Sequence, residues 1–197
     1  SIELCSKEEY TYYDDGKLKS LINKKADGSI MDSYTYTYDA NGNVLTMTIP
    51  DNTTTSYQYD NLNQVKTQTV QGLDEHNKNA EINTSMTYDY AGNLLTTTDA
   101  NGGITENIYN AKGQLVKTID PEGEITAFYY DDAGRLTAKV LPENYKEGAS
   151  VSEMSRIVFT YDTMGRVLLE QDIYYDEATK SVQTISSKAN RYDLNGN

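Results

Sequence analysis

The sequence predicts an all-β chain of tandem antiparallel β-hairpins. Three observations predict it: a turn motif that recurs along the 197 residues, period-two alternation before each turn, and a composition rich in Tyr and Thr. The recurrence is the strongest of the three. Tyr38-Asp39-Ala40-Asn41-Gly42-Asn43-Val44 aligns with motifs opening at Tyr88, Tyr109, Tyr130 and Tyr161. It also aligns with Tyr59, where Asn63 stands in the glycine place. Tyr192 opens a truncated last copy, and Tyr12-Tyr13-Asp14-Asp15-Gly16-Lys17-Leu18 is an irregular first one. From Tyr38 onward the Tyr-to-Tyr spacings are 21, 29, 21, 21, 31 and 31, a 21-residue unit with insertions.

Turn chemistry explains the motif. A three-residue hairpin loop combines a type I turn with one residue in the left-handed region. Asp39 suits the first turn position, because its side chain accepts from the backbone two residues on. Gly42, Gly92, Gly113, Gly134 and Gly165 suit the left-handed position, having no Cβ to clash there; Asn63 is among the few other residues that tolerate it. Such a loop pairs Asp39 with Asn43, and next outward Tyr38 with Val44. The same arithmetic sets Tyr59 against Val65, Tyr88 against Leu94, Tyr109 against Leu115, Tyr130 against Leu136 and Tyr161 against Val167. An aromatic facing an aliphatic across a hairpin contributes roughly 0.2–1 kcal/mol. A ladder of these pairs is therefore the expected core.

The strand entering each turn alternates: Tyr34, Tyr36 and Tyr38 share a face, as do Phe128 with Tyr130 and Phe159 with Tyr161. The strand leaving the turn does not sort. Strict alternation sets Leu45, Met47 and Ile49 against Val44, Thr46 and Thr48, so both faces mix types. A second turn signal falls between copies, at Pro50-Asp51-Asn52, Asp99-Ala100-Asn101-Gly102 and Asp120-Pro121-Glu122-Gly123. The longer spacings place extra residues there, at 71–83, 142–153 and 172–190. In the last of these, Ile173-Tyr174-Tyr175 and Ser181-Val182-Gln183 suggest a longer hairpin. The expectation is one array over 1–197, about seven complete copies plus a truncated last one, in roughly 14–16 strands without helix or linker.

Composition excludes several functions. Leu, Ile, Val and Phe supply 37 of 197 residues and the formal net charge is −13, values shared with disordered chains. Regularly spaced Tyr (18) and Thr (23) argue instead for strands with a thin core. The acidity disfavours nucleic acid, since no basic stripe could neutralise phosphates, and no apolar run is long enough to span a membrane. Cys5 alone supplies neither an internal disulfide nor a Cys-based zinc site. His76, the single His, sits in a polar insertion and reads as a solvated loop residue, leaving no nucleophile–His–acid arrangement. The Asp-x-Asn-Gly-Asn turns resemble calcium loops only superficially. An EF-hand needs Gly sixth and Glu twelfth, whereas here Gly42 is fourth from Asp39 and Pro50 twelfth. No catalytic residue, cofactor or metal ligand is expected. The tyrosines off the ladder, notably Tyr90, Tyr129, Tyr174 and Tyr175, are candidates for contact with a ligand such as a sugar ring.

The motif Tyr-Asp-x-x-Gly-[Asn/Gln/Arg]-[Leu/Val], followed by strand, Asp-x-x-Gly and a Tyr-rich strand, resembles the RHS/YD repeat. Gly113-Gln114-Leu115 through Asp120-Pro121-Glu122-Gly123 to Phe128-Tyr129-Tyr130-Asp131 is the clearest copy. The resemblance implies a curved, spiralling β-sheet forming part of a hollow shell, in large secreted or surface-attached proteins. In bacterial polymorphic toxins and insecticidal toxin complexes such shells hold a C-terminal toxin; in animal teneurins they support adhesion, and YD repeats are also associated with carbohydrate binding. The family's self-cleaving core region has no counterpart here, so neither autoproteolysis nor toxin activity is implied. The expected protein is a non-enzymatic section of a longer secreted or cell-surface bacterial chain. Its partners would be neighbouring repeats, an enclosed C-terminal effector, or a carbohydrate surface. Open edge strands would let it self-associate.

Overall fold

The structure is a computed structural model that describes residues 6–73 and 79–192. Among these residues there are fifteen strands and two short 3-10 turns. The strands are β1 (Lys7–Tyr12), β2 (Leu18–Lys24), β3 (Ile30–Tyr38), β4 (Val44–Thr48), β5 (Thr54–Tyr59), β6 (Val65–Leu73), β7 (Asn79–Tyr88) and β8 (Leu94–Thr98). There follow β9 (Ile104–Tyr109), β10 (Leu115–Ile119), β11 (Ile125–Tyr130), β12 (Leu136–Val140), β13 (Arg156–Tyr161), β14 (Val167–Asp176) and β15 (Ser181–Ala189). Strand order follows chain order without a crossover, as an antiparallel meander requires. The fold class is all-β, as the sequence predicts.

The strands fall into two compact units, Ser1–Thr87 with Thr97–Gly102, and Tyr88–Thr96 with Gly103–Asn197. In the first, β1 to β7 pair antiparallel one after another. The 71–83 insertion extends the β6–β7 hairpin, which pairs out to Leu73↔Asn79. In the second, β9 to β15 pair likewise, and β14 with β15 forms the long hairpin closing at Asp176↔Ser181.

The turns set the register that the motif demands, and then break it. Tyr38 pairs with Val44, but Thr37 pairs with Thr46, so Leu45 has no partner on β3. The same one-residue slip follows Leu18, Val65, Leu115, Leu136 and Val167. Each is a β-bulge, one extra residue on one strand of an antiparallel pair. The bulge corrects the strict alternation assumed for the outgoing strand. Past it the parity flips: Tyr36 pairs with Met47, while Thr35 and Thr37 pair with Thr48 and Thr46. One face of this hairpin therefore gathers Tyr34, Tyr36, Tyr38, Val44 and Met47, and the other is lined by Thr. The faces are sorted after all.

The best-buried cluster lies elsewhere than expected. The motif tyrosines and their Val or Leu partners are half-buried, whereas Ala127, Val140 and Met154 form a core of 0–2 % exposure. Tyr129↔Ala138 and Ala127↔Val140 are cross-strand pairs on the face opposite Tyr130. The 142–153 insertion folds over them as a strap with two 3-10 turns, Pro142–Asn144 and Val151–Glu153. Tyr145, Ala149 and Val151 pack against the cluster. A capping box at Ser150 and Glu153 closes the second turn. The strap is tied to β10 by Lys117, whose Nζ lies 3.1 Å from Glu147 Oε2 and over the Tyr145 ring.

Candidate functional site: the tyrosine staple between repeats

The turn is held by its acid. In the first complete copy, Asp39 N–H donates to the Asn43 carbonyl and Gly42 N–H to the Asp39 carbonyl, closing a type I turn plus bulge. Gly42 sits at φ 91° and Asn63, in the same place of the next copy, at φ 62°. Asp39 Oδ1 accepts from the Asn41 and Asn43 N–H groups (2.9 and 2.8 Å), and Oδ2 accepts from Asn43 Nδ2 (2.9 Å). Asp89 repeats this with Ala91 and Asn93. Asp131 and Asp162 replace the amide with the Nε of Arg135 and Arg166. An Asn or Arg in the motif's sixth place therefore donates backward to the acid, and where the first turn residue is Asn110 the direction reverses, its Nδ2 donating to Gln114 Oε1 at 2.8 Å.

These bonds hold the carboxyl groups below their ordinary value. The cause is chiefly the Asn43 side chain for Asp39 and the Asn93 side chain for Asp89. For Asp131 and Asp162 it is chiefly the backbone N–H of Arg135 and of Arg166. A carboxyl with a lowered folded pKa stabilises the fold above its unfolded value and loses that contribution as pH falls through the lowered one. The urea midpoint should hold from neutral pH down to about 5 and fall below about 4. Asp131→Asn should shrink that fall, and a midpoint that rises on acidification would contradict the turn chemistry.

The tyrosine does more than face its Val or Leu. Its hydroxyl leaves its own hairpin and donates to the carbonyl of the motif Val or Leu in the preceding one. Tyr38 reaches Leu18 O at 2.9 Å, Tyr59 reaches Val44 O at 2.8 Å and Tyr109 reaches Leu94 O at 3.0 Å. Tyr130 reaches Leu115 O at 2.8 Å, Tyr161 reaches Leu136 O at 2.7 Å and Tyr192 reaches Val167 O at 2.9 Å. The need for it arises where one hairpin meets the next. Pairing between β4 and β5 ends at Thr46↔Ser56, and between β10 and β11 at Lys117↔Ala127. Val44 and Leu115 lie two residues beyond the last pair, as do Leu18, Leu136 and Val167 at their own junctions. Their half-buried carbonyls lie past the backbone ladder, and an unsatisfied carbonyl there is costly. The phenol supplies the donor. Burial pushes the phenols of Tyr59, Tyr130 and Tyr161 upward, which keeps the proton on the oxygen. Asn107 and Asn190, two residues before their tyrosines, add a second donor to the same carbonyl, each at 3.1 Å.

This staple was absent from the sequence reading, although a signal for it exists. Phe occurs at 128 and 159, two residues before motif tyrosines, so a ring without a hydroxyl suits neighbouring strand sites. At the motif position itself every copy from Tyr38 to Tyr192 keeps the hydroxyl.

The candidate ligand tyrosines separate. Tyr90 is fully exposed at a turn tip and Tyr174 is 46 % exposed, but Tyr175 is buried at 8 %. Tyr129 packs under the strap. Cys5 and His76 lie outside the described residues. Among the described residues no three His, Cys, Asp or Glu side chains are grouped to hold a metal, and no helix is long and apolar enough to cross a membrane.

The comparisons agree with this architecture. The RHS Repeat family model matches residues 38–74 and 109–144. Among solved structures, one described as TcdB2-TccC3 without hypervariable C-terminal region superposes with a TM-score of 0.67 and 16% identity. The match covers 93% of this chain and 10% of that one. A second, TcdB2-TccC3-TEV, gives a TM-score of 0.53 at 17% identity, covering 96% and 11%. At such identities the likeness is one of fold, and the chain spans about a tenth of these proteins. No curated protein matches. The two matched segments, which carry the same Asp- or Asn-held turn and tyrosine staple as the copies around them, are RHS repeats.

Proposed function

We propose that this array is a non-enzymatic structural segment of a larger secreted or surface protein, one stretch of a β-shell that encloses or displays a C-terminal effector. The observation that supports it most is where the motif's polar groups go. In Asp39, Asp89, Asp131 and Asp162 the motif acid is engaged by its own turn, and six motif hydroxyls bind the neighbouring repeat. Such groups serve construction rather than chemistry. The chain spans about a tenth of the structures it resembles, and one of those is described as lacking its hypervariable C-terminal region, which fits a wall segment upstream of an exchangeable end. The test uses the full-length protein with a protease site engineered C-terminal to the array. Cleavage should be slow in the native protein and fast once the array is loosened by Tyr130→Ala. Equal cleavage in both would overturn enclosure.

A carbohydrate-binding reading rests on Tyr90 and Tyr174, the exposed members of the candidate set. Glycan-array binding lost on Tyr90→Ala or Tyr174→Ala would favour it over a purely structural role.

Strands β1 and β15 stand at the two ends of the strand order. β1 carries Lys7, Glu8 and Glu9, charges that discourage strand addition. β15 is exposed along its whole length, with Lys188 as its one charge. Reversible self-association through β15 is therefore expected, visible as a concentration-dependent mass in light scattering. A strict monomer at high concentration would contradict it.

A further inference from the structure

Three of the motif tyrosines carry one of the chain's own cations on the ring. The Arg135 guanidinium lies 5.0 Å from the Tyr161 ring centre and that of Arg166 lies 4.5 Å from the Tyr192 ring centre. Lys17 Nζ lies 5.8 Å from the ring centre of Tyr38. In each case the cation belongs to the residue just after the turn glycine of one copy and the ring to the next copy. At Tyr130 the corresponding residue is Gln114. Its amide turns instead to the Gly134 carbonyl at 3.4 Å, and among the described contacts no cation covers the Tyr130 ring. A groove of about 400 Å3 opens there, lined by Asn110, Lys112, Gln114, Phe128, Tyr130 and Asp132 among others.

We propose that this groove is a receptor site for a guanidinium or ammonium side chain of a basic polypeptide segment, seated on Tyr130 as Arg135 is seated on Tyr161. Recognition has two parts. The ring face attracts a cation held within about 6 Å of its centre. Asp132, whose carboxylate makes no hydrogen bond or ion pair among the described contacts, stands at the rim to pair with it. Asp131 is not available, because its Oδ2 already holds Arg135. Among the described residues Lys112, on the turn tip, is the one cation lining the groove, and it lies over no ring. The formal net charge of −13 draws a basic segment to this surface. The proposal is independent of the shell reading, since it concerns one groove of the array itself.

The experiment titrates the 197-residue chain into a fluorescein-labelled hexa-arginine peptide and follows anisotropy at low ionic strength. Gln114→Arg fills the groove from within, as Arg135 does in the next copy, and should weaken binding by about fivefold. Asp132→Asn should weaken it by a similar factor. Glu122→Gln removes the same charge from an exposed turn tip outside the groove and should change binding by less than about twofold. Circular dichroism checks that each variant is folded; should Gln114→Arg fail to fold, the comparison of Asp132→Asn with Glu122→Gln decides. Equal effects of the groove and control variants, or displacement of the peptide by an uncharged oligosaccharide, would overturn the proposal.

Discussion

Met154→Ala should lower stability by about 3 kcal/mol and release the 142–153 strap. Met154 is 1 % exposed and packs with Val140 and Ala127, the best-buried residues of the chain's second unit. Its Sδ also accepts from the Lys146 N–H at 3.3 Å, so truncation loosens both ends of the strap. Urea denaturation measures the loss, and limited proteolysis should locate new cleavage between Pro142 and Glu153. Ile30→Ala, at a site 60 % exposed, is the matched control and should cost no more than about 0.5 kcal/mol. Equal costs at the two positions would mean that the strap covers no core.

Tyr130→Ala should cost about 2–3 kcal/mol, from two sources. The half-buried ring leaves Leu136 without its cross-strand partner. The lost hydroxyl leaves the Leu115 carbonyl without its donor. The second loss falls on the junction with the preceding hairpin, so hydrogen exchange should speed up across the β10–β11 boundary as well as within the β11–β12 hairpin. Faster exchange confined to β11–β12 would show that the ring matters and the staple does not.

How much of this was legible depended on the range over which each feature is determined. The turns were legible because they are local: an Asp or Asn, two unrestricted residues and a left-handed Gly or Asn specify Asp39 to Asn43 and its counterparts without help from the rest of the chain. The pairing of Tyr38 with Val44 followed from loop length alone. The bulge was not legible, because the slipped position accepts Lys19, Leu45, Lys66, Val116, Thr137 or Leu168 and so leaves no compositional trace. Missing it inverted the face assignment beyond each turn. The stranded carbonyl, and with it the reason the motif needs Tyr, was hidden because the point where pairing with the next strand stops is set by register across the sheet. Tyr129 and Tyr175 read as ligand candidates because their burial depends on distant packing. The strap's own apolar residues, Tyr145 and Val151 in an otherwise polar insertion with Met154 just after it, were the available hint of a covered face.

The central claim is that the motif hydroxyl, not just the ring, joins one repeat to the next. The most direct measurement is urea denaturation of Tyr130→Phe beside Tyr90→Phe, which remove the same atom from a stapled and from a fully exposed tyrosine. The staple predicts a loss of about 1–2 kcal/mol for Tyr130→Phe and less than about 0.5 kcal/mol for Tyr90→Phe. Equal, negligible losses at both positions would contradict it.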